Sequence, residues 1–212
     1  MKNPRYCPPF MPMHAFIPED KSGSWAINHF YTDEKEAHQR WLAAALSGNY
    51  EYRDLEEGLY TRLSNNGVSW GNTTQMTDTP MERRTNLKFM RKAHGDILIG
   101  GLGIGLIIAP LLCKGIGKGV DSIRVVESSP DVIKLVKPHL DKLDKHGKLE
   151  VIEGDVMEYW TDDRFNVVYF DIWTNITADN LPEMSKLHRR WAHRMDKSDP
   201  DRWLSSWRHK DC

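Results

Sequence analysis

The sequence predicts an α/β protein built on a doubly wound, mostly parallel sheet, and three observations carry that expectation. The apolar run Asp96-Ile97-Leu98-Ile99 passes straight into Gly100-Gly101-Leu102-Gly103-Ile104-Gly105, as a buried strand does on turning through glycines into a helix. About 20 to 25 residues on, the interval expected for a ribose-binding acid in a nucleotide-binding βαβ unit, Ser122-Ile123-Arg124-Val125-Val126 ends in Glu127. Two more runs follow: Leu149-Glu150-Val151-Ile152-Glu153 enters Gly154-Asp155-Val156, and Phe165-Asn166-Val167-Val168-Tyr169-Phe170 ends in Asp171. Glycines and acids confined to the carboxyl ends of such strands converge on one crevice.

The flanking elements follow in chain order. Residues 1–31 are rich in proline and aromatics without a clear period, which reads as an extended arm. Asp33 with Glu36 forms a capping-box-like start for a helix through Trp41 to Leu46, stopped by Gly48. Leu59-Tyr60-Thr61-Arg62-Leu63 and Val68-Ser69-Trp70 flank Asn65-Asn66-Gly67, a turn suited to positive φ, so a β-hairpin is predicted. Residues 81–92 read as a helix leading to the first strand of the parallel sheet, and Ser129-Pro130 opens another that runs to about Leu143. In the tail Met184, Leu187, Trp191 and Met195 recur at helical spacing, with Arg189, Arg190 and Arg194 off the stripe. Trp203 and Trp207 follow at i,i+4, so this tail reads as two helices and the sheet as truncated after its fourth strand. The expected division is an arm, helix and hairpin over 1–80, the sheet domain over 81–175 and a helical tail over 176–212.

The glycine turn does not fit the common nucleotide fingerprints. G-x-G-x-x-G/A would need a small residue where Leu106 stands, which counts against NAD or FAD. A phosphate-cradling G-x-x-x-x-G-K-[ST] pattern is also missing, because the glycines and lysine at 115–118 follow a helix and precede Gly119.

The strand, Gly-x-Gly-x-Gly, strand ending in Glu127, Gly154-Asp155 and strand ending in Asp171 resemble the class I S-adenosylmethionine-dependent methyltransferases, and in wording most their spermidine-synthase-like branch. Val125-Val126-Glu127 with Pro130-Asp131-Val132-Ile133 continues the likeness, as does Gln75-Met76-Thr77-Asp78 with Glu82; together they span residues 57–173. The resemblance implies a Rossmann-like domain holding S-adenosylmethionine. Gly101, Gly103 and Gly105 would admit the methionine part and ribose to the backbone, with Gly100, Leu102 and Ser128 in the same cofactor-binding set. Glu127 would hold the ribose, Asp155 and the Val156 N–H the adenine, and Gln75 the methionine end. Asp171 would stand beside the transferred group as the orienting base, with Asp78, Glu82 and Trp173 on the acceptor side.

The departures from that branch set the expected chemistry. Its first motif carries an Asp where Ile104 stands, and its second acid after the fourth strand is replaced by Ile172-Trp173-Thr174-Asn175. A polycationic chain wants paired carboxylates, so methyl transfer to a small amine- or guanidine-like acceptor is expected ahead of aminopropyl transfer. A non-catalytic protein binding S-adenosylmethionine or RNA is the third reading.

Composition narrows the partners. A formal net charge of −1 argues against an all-over nucleic-acid or membrane footprint. No apolar run approaches the ~20 residues that span a bilayer, and the first residues lack a signal peptide's apolar stretch, so a cytoplasmic protein is expected. Cys7, Cys113 and Cys212 form neither a disulfide framework nor a zinc spacing, and Cys113, on the helix after the glycine turn, reads as a small buried hydrophobe. His188 and His193 read as surface histidines, with no metal. Asp78 and Glu82 could equally serve as capping acids, and Trp173 could merely close the core. Basic and aromatic residues in the tail can mean RNA binding by stacking and phosphate contact, but packing against the sheet or an identical subunit, with arginines on a solvated rim, is the simpler reading. A homo-oligomer through the arm or the tail helices is expected.

Overall fold

The computed structural model describes residues 9–47, 54–67, 73–113, 119–174 and 177–208. The first part is antiparallel. Strands β1 (Asp20–Ser22) and β2 (Trp25–Thr32) form a hairpin, so residues 20–32 are sheet where the sequence suggested an arm; residues 1–8 lie outside the described residues. Helix α1 (Glu34–Ser47) begins as expected, with the Glu36 N–H donating to Asp33 Oδ1 at 2.7 Å. Strand β3 (Gly58–Asn65) pairs with β2 on one side and with β4 (Thr74–Thr77) on the other, closing a four-stranded sheet in the order β1-β2-β3-β4. The predicted hairpin around Asn65-Asn66-Gly67 therefore has its first strand, and the described return strand is β4; Gly48, Val68-Ser69-Trp70 and residues 115–118 lie outside the described residues.

Helix α2 (Pro80–Lys92) leads into the second sheet, whose strands are β5 (Gly95–Gly100), β6 (Val120–Glu127), β7 (Leu149–Glu153), β8 (Val167–Phe170) and β9 (Trp203–Ser206). All neighbours run parallel in the order β7-β6-β5-β8-β9. The chain leaves β5 first toward β6 and β7 and later toward β8 and β9, so the order reverses between β5 and β8. A crevice opens at such a point, outside the carboxyl ends of the strands.

Alternation along β5 makes the sheet two-sided. Ile97 and Ile99 pack on one face with Val125, Tyr169 and Phe89 of α2, while Leu98 packs on the other with Val168, Phe170 and Trp191. On the first face lies α4 (Pro130–Leu143), which buries Val132, Leu135, Val136 and Leu140 and whose first turn is capped by Ser129 Oγ, accepting from the Val132 N–H at 3.3 Å. On the second face α5 (Leu181–Ala192) buries Met184, Leu187 and Trp191 of the stripe read from the sequence, while Met195, its expected fourth member, lies beyond the helix in a bridge with Phe165. The glycine turn does not enter a helix at once: tight turns run to residue 108 before the single turn of α3 (Ala109–Leu112), and Cys113 caps it, half-buried, with Sγ 3.5 Å from Met11 Sδ.

The sheet is not truncated after four strands, and among the described residues the tail holds a 3-10 turn (Ala178–Asn180), then α5 and strand β9 in place of two helices. Trp203 and Trp207 are four apart, a spacing that places residues on one face of a helix and equally on one face of a strand. Asp196 and Asp199 settle the choice by taking the N–H groups of Ser198 and Asp201 into tight turns at 2.9 and 2.8 Å, so the chain emerges extended beside β8. Asp199 Oδ2 also accepts from Asn166 Nδ2 at 2.8 Å and lies 2.7 Å from His94 Nε2, pinning the turn under the amino ends of β5 and β8.

Candidate functional site

At the carboxyl ends of β5, β6, β7 and β8 lies a cavity of about 310 Å³. Backbone bonds draw its rim together: the Asp171 N–H donates to the Gly100 carbonyl at 2.8 Å, the Gly101 N–H to Val126 at 2.9 Å and the Gly154 N–H to Glu127 at 2.9 Å. Of the predicted cofactor set Gly101, Gly103, Glu127, Ser128, Asp155, Val156, Gln75 and Asp171 line the cavity. Gly100, Leu102 and Gly105 do not.

Gly101 has φ 95°, and a Cβ there would stand 2.3 Å from the Asp171 carbonyl oxygen. No other residue fits that position. Gly103, at φ 51°, lies against Met76, whose sulfur would stand 2.2 Å from an added Cβ.

Glu127 does more than face the cavity. Its Oε2 accepts from the Leu102 N–H at 2.8 Å and its Oε1 from the Ser129 N–H at 2.8 Å, so one carboxylate ties the glycine turn to the start of α4. Ser128 Oγ also donates to Oε1 at 3.5 Å, so of a carboxylate's about four lone-pair sites one remains, on Oε2, for a hydroxyl donor. Asp155 is exposed at the rim, with Oδ1 accepting from the Met157 N–H at 2.8 Å, while Val156 is buried behind it. Arg190 donates to the carbonyls of Met157, Glu158 and Tyr159, fixing the segment that carries both residues. This arginine is thus a structural clamp, where the sequence suggested a solvated rim.

Asp171 is electrostatically unlike the others. Burial pushes its carboxyl up to about 7, and no donor among the described residues offsets that burial. Glu82, which is buried, lines the same cavity from α2. Burial, and then the charges of Asp171 and Glu82, hold the Tyr169 phenol well above its usual range, so both carboxylates lie within electrostatic reach of it. Tyr169 donates to Asn86 Oδ1 at 2.9 Å, and the Trp207 indole donates to Thr85 Oγ1 at 2.9 Å, which fixes the turn of α2 just beyond Glu82.

Asp78 parts from Glu82 and does not line the cavity. It is fully buried, accepting from the Thr61 N–H at 2.6 Å and the Met13 N–H at 3.1 Å, and so braces β3 and the 3-10 turn Met13–Ala15. The expectation of an acceptor contact there is corrected: the carboxylate is consumed by backbone donors a long way off in sequence. Trp173 does line the cavity, its indole N–H donating to Glu183 Oε2 at 2.9 Å. Trp25, Met76 and Trp207 also line it and were missed. They come from β2, β4 and the residue after β9, and no spacing in the sequence links them. His188, read as a surface histidine, is half-buried with Nε2 2.7 Å from Ser206 Oγ.

Among the described residues no group of three or more His, Cys, Asp or Glu could hold a metal ion, and no helix is long and apolar enough to cross a membrane.

No protein-family model matches the chain, and no curated protein matches it in sequence. Among solved structures it resembles a dimethyladenosine transferase from Plasmodium falciparum, with TM-score 0.40 and 20% identity over 54% of this chain and 37% of that one. It also resembles the glycopeptide N-methyltransferase MtfA complexed with S-adenosyl-L-methionine, with TM-score 0.41 and 19% identity over 55% and 50% of the two chains. A third is the N-methyltransferase NodS from Bradyrhizobium japonicum WM9 with S-adenosyl-L-homocysteine, at 0.42 and 13% over 56% and 59%. The chain spans about half the length of these structures.

Proposed function

We propose that the protein is an S-adenosylmethionine-dependent methyltransferase acting on a small amine- or guanidine-like acceptor, with Asp171 as the orienting base. The observation that carries this reading is the half-buried Asp171, whose carboxyl is desolvated and raised to about 7, lining a cavity with Glu127, Asp155 and Val156 at the switch point of the sheet.

The residues fit the cofactor. Glu127 retains a lone pair on Oε2 for a ribose hydroxyl, Asp155 and the Val156 N–H suit the adenine edge, Gln75 suits the methionine end, and Gly101 and Gly103 leave backbone bare between them. When bound, the sulfonium supplies an already activated methyl carbon, so the protein's share is alignment and proton handling. Asp171, poised near neutrality, accepts a proton from the acceptor nitrogen or holds its N–H in line. Glu82 adds a second negative charge for a cationic acceptor, while Trp25, Trp173 and Trp207 wall the cavity against water.

Aminopropyl transfer is the second reading, favoured by Glu82. The sequence lacks adjacent carboxylates after β8, yet Glu82 from α2 and Asp171 line one cavity, a pairing that a polyamine could use. Calorimetric titration with S-adenosylmethionine, its decarboxylated form and NAD separates the readings, followed by mass analysis of candidate amines for a methyl or an aminopropyl increment. Binding of S-adenosylmethionine in preference to the other two is expected; failure to bind either sulfonium would sink both readings.

A further inference from the structure

A second cavity, of about 390 Å³, lies toward the amino end of β8, remote from the carboxyl ends where the first opens. Arg164, Arg190, Arg194 and Lys197 line it with Trp160 and Trp191, and no carboxylate is among the described lining residues. Arg190 and Arg164 donate to backbone carbonyls, Arg164 to that of His193, so neither charge is neutralised by those bonds. Asp162, 3.1 Å from Arg194, and nearby Asp196 offset only part of the positive charge. Within a chain of net charge −1 this is a local concentration of cations, which an anion would relieve.

Two aromatic observations sharpen the ligand. Trp160 is 60% exposed, with the Arg194 guanidinium 4.9 Å from its ring centroid, a large flat surface left in water beside the cations. Trp191 is 1% exposed, and its indole N–H has no acceptor among the described residues. A buried donor of this kind costs free energy until an acceptor reaches it.

We infer that this cavity binds a phosphate-bearing nucleotide unit, free or within a single-stranded nucleic acid, with phosphate on Arg164, Arg194 and Lys197 and the base on Trp160. Phosphate oxygens match guanidinium donors, and an exposed indole is a stacking platform for any base. The inference is independent of the function proposed for the first cavity.

The test uses the full chain with fluorescein-labelled octauridylate followed by anisotropy, and with AMP and inorganic phosphate followed by calorimetry. Octauridylate should bind with an affinity that falls as salt rises. In the double variant Arg164→Gln/Lys197→Gln the slope of log K against log salt should become shallower by about 1.4, from about 0.7 per lost phosphate contact on a single strand. Trp160→Leu should weaken binding about tenfold through lost stacking. AMP binding as tightly as the octamer assigns the site to a free nucleotide and upholds the inference. Binding of neither RNA nor AMP, or parental affinity in all variants, overturns it; so does inorganic phosphate binding as tightly as AMP, since the base then contributes nothing. Arg164→Lys keeps the charge and should stay near parental affinity, which separates loss of the site from loss of the fold. Titration of S-adenosylmethionine into the same variants should give parental affinity, because none of the three residues lines the first cavity.

Discussion

Asp171 and Asp78 show how far one residue type can diverge under different surroundings. Asp171 ionises near about 7 because burial penalises its charge with no donor to compensate. Its folded-state value lies above the unfolded one, so the folded chain binds more protons between them, and ionisation there destabilises the fold as pH rises. Asp171→Asn should therefore cut kcat by about 10²- to 10⁴-fold while leaving sulfonium affinity within about threefold. The same variant should raise stability by roughly 1–4 kcal/mol above neutral pH, and less below it, as measured by urea unfolding. Parental kcat should rise with pH through about 7 and level above it. Asp78 is buried too, but it accepts from the Thr61 and Met13 N–H groups. Asp78→Asn turns one of those acceptors into a donor, so a stability loss of about 1–3 kcal/mol is expected with sulfonium binding by the folded fraction unchanged. Sequence spacing made Asp78 and Glu82 a pair. Only the backbone donors of β3 and Met13 separate their roles.

Elements differed in legibility according to how local their causes are. Helix α4 was readable from its start at Ser129-Pro130 to about Leu143, because an N-cap and a first-turn proline are local signals. Strands β5, β6, β7 and β8 were readable as apolar runs punctuated by glycine or acid. Strand β9 was not, since the spacing of Trp203 and Trp207 fits both periodicities and pairing with β8 decides between them. Helix α5 was legible as an amphipathic stripe, but its polar face was not: Arg190 spends its donors on the carbonyls of the segment after Asp155. Arg190→Ala should loosen that segment by about 1–3 kcal/mol. Faster hydrogen exchange is expected at the amides of Glu158 and Tyr159, which donate to the Asp155 carbonyl at 2.9 and 2.7 Å.

Across the whole molecule, contacts distant in sequence hold the parallel sheet to its tail. His94, after α2, meets Asp199, in the turn before β9, at 2.7 Å. The Lys92 carbonyl, and then Asp199, raise the His94 value, while Asn166 and then His94 hold Asp199 down at about 2. A raised histidine stabilises the fold fully below its unfolded value of about 6.5 and loses that contribution as pH rises through the folded value. His94→Ala should accordingly lower the melting temperature more at about pH 5.5 than at a pH above the raised folded value, where the charge contribution is lost. An equal drop at both would show that packing, and not charge, fastens the tail.

The sequence by itself determined the α/β class, the glycine turn, and the acids that close β6 and β8, because strand period, glycine freedom and helix capping act within a few residues. Tertiary structure alone decided that the sheet has a fifth strand, that Asp78 braces the antiparallel sheet while Glu82 joins Asp171, and that Trp25, Met76 and Trp207 meet at one cavity. Those outcomes depend on burial and pairing between segments far apart along the chain, for which the intervals between residues carry no signal.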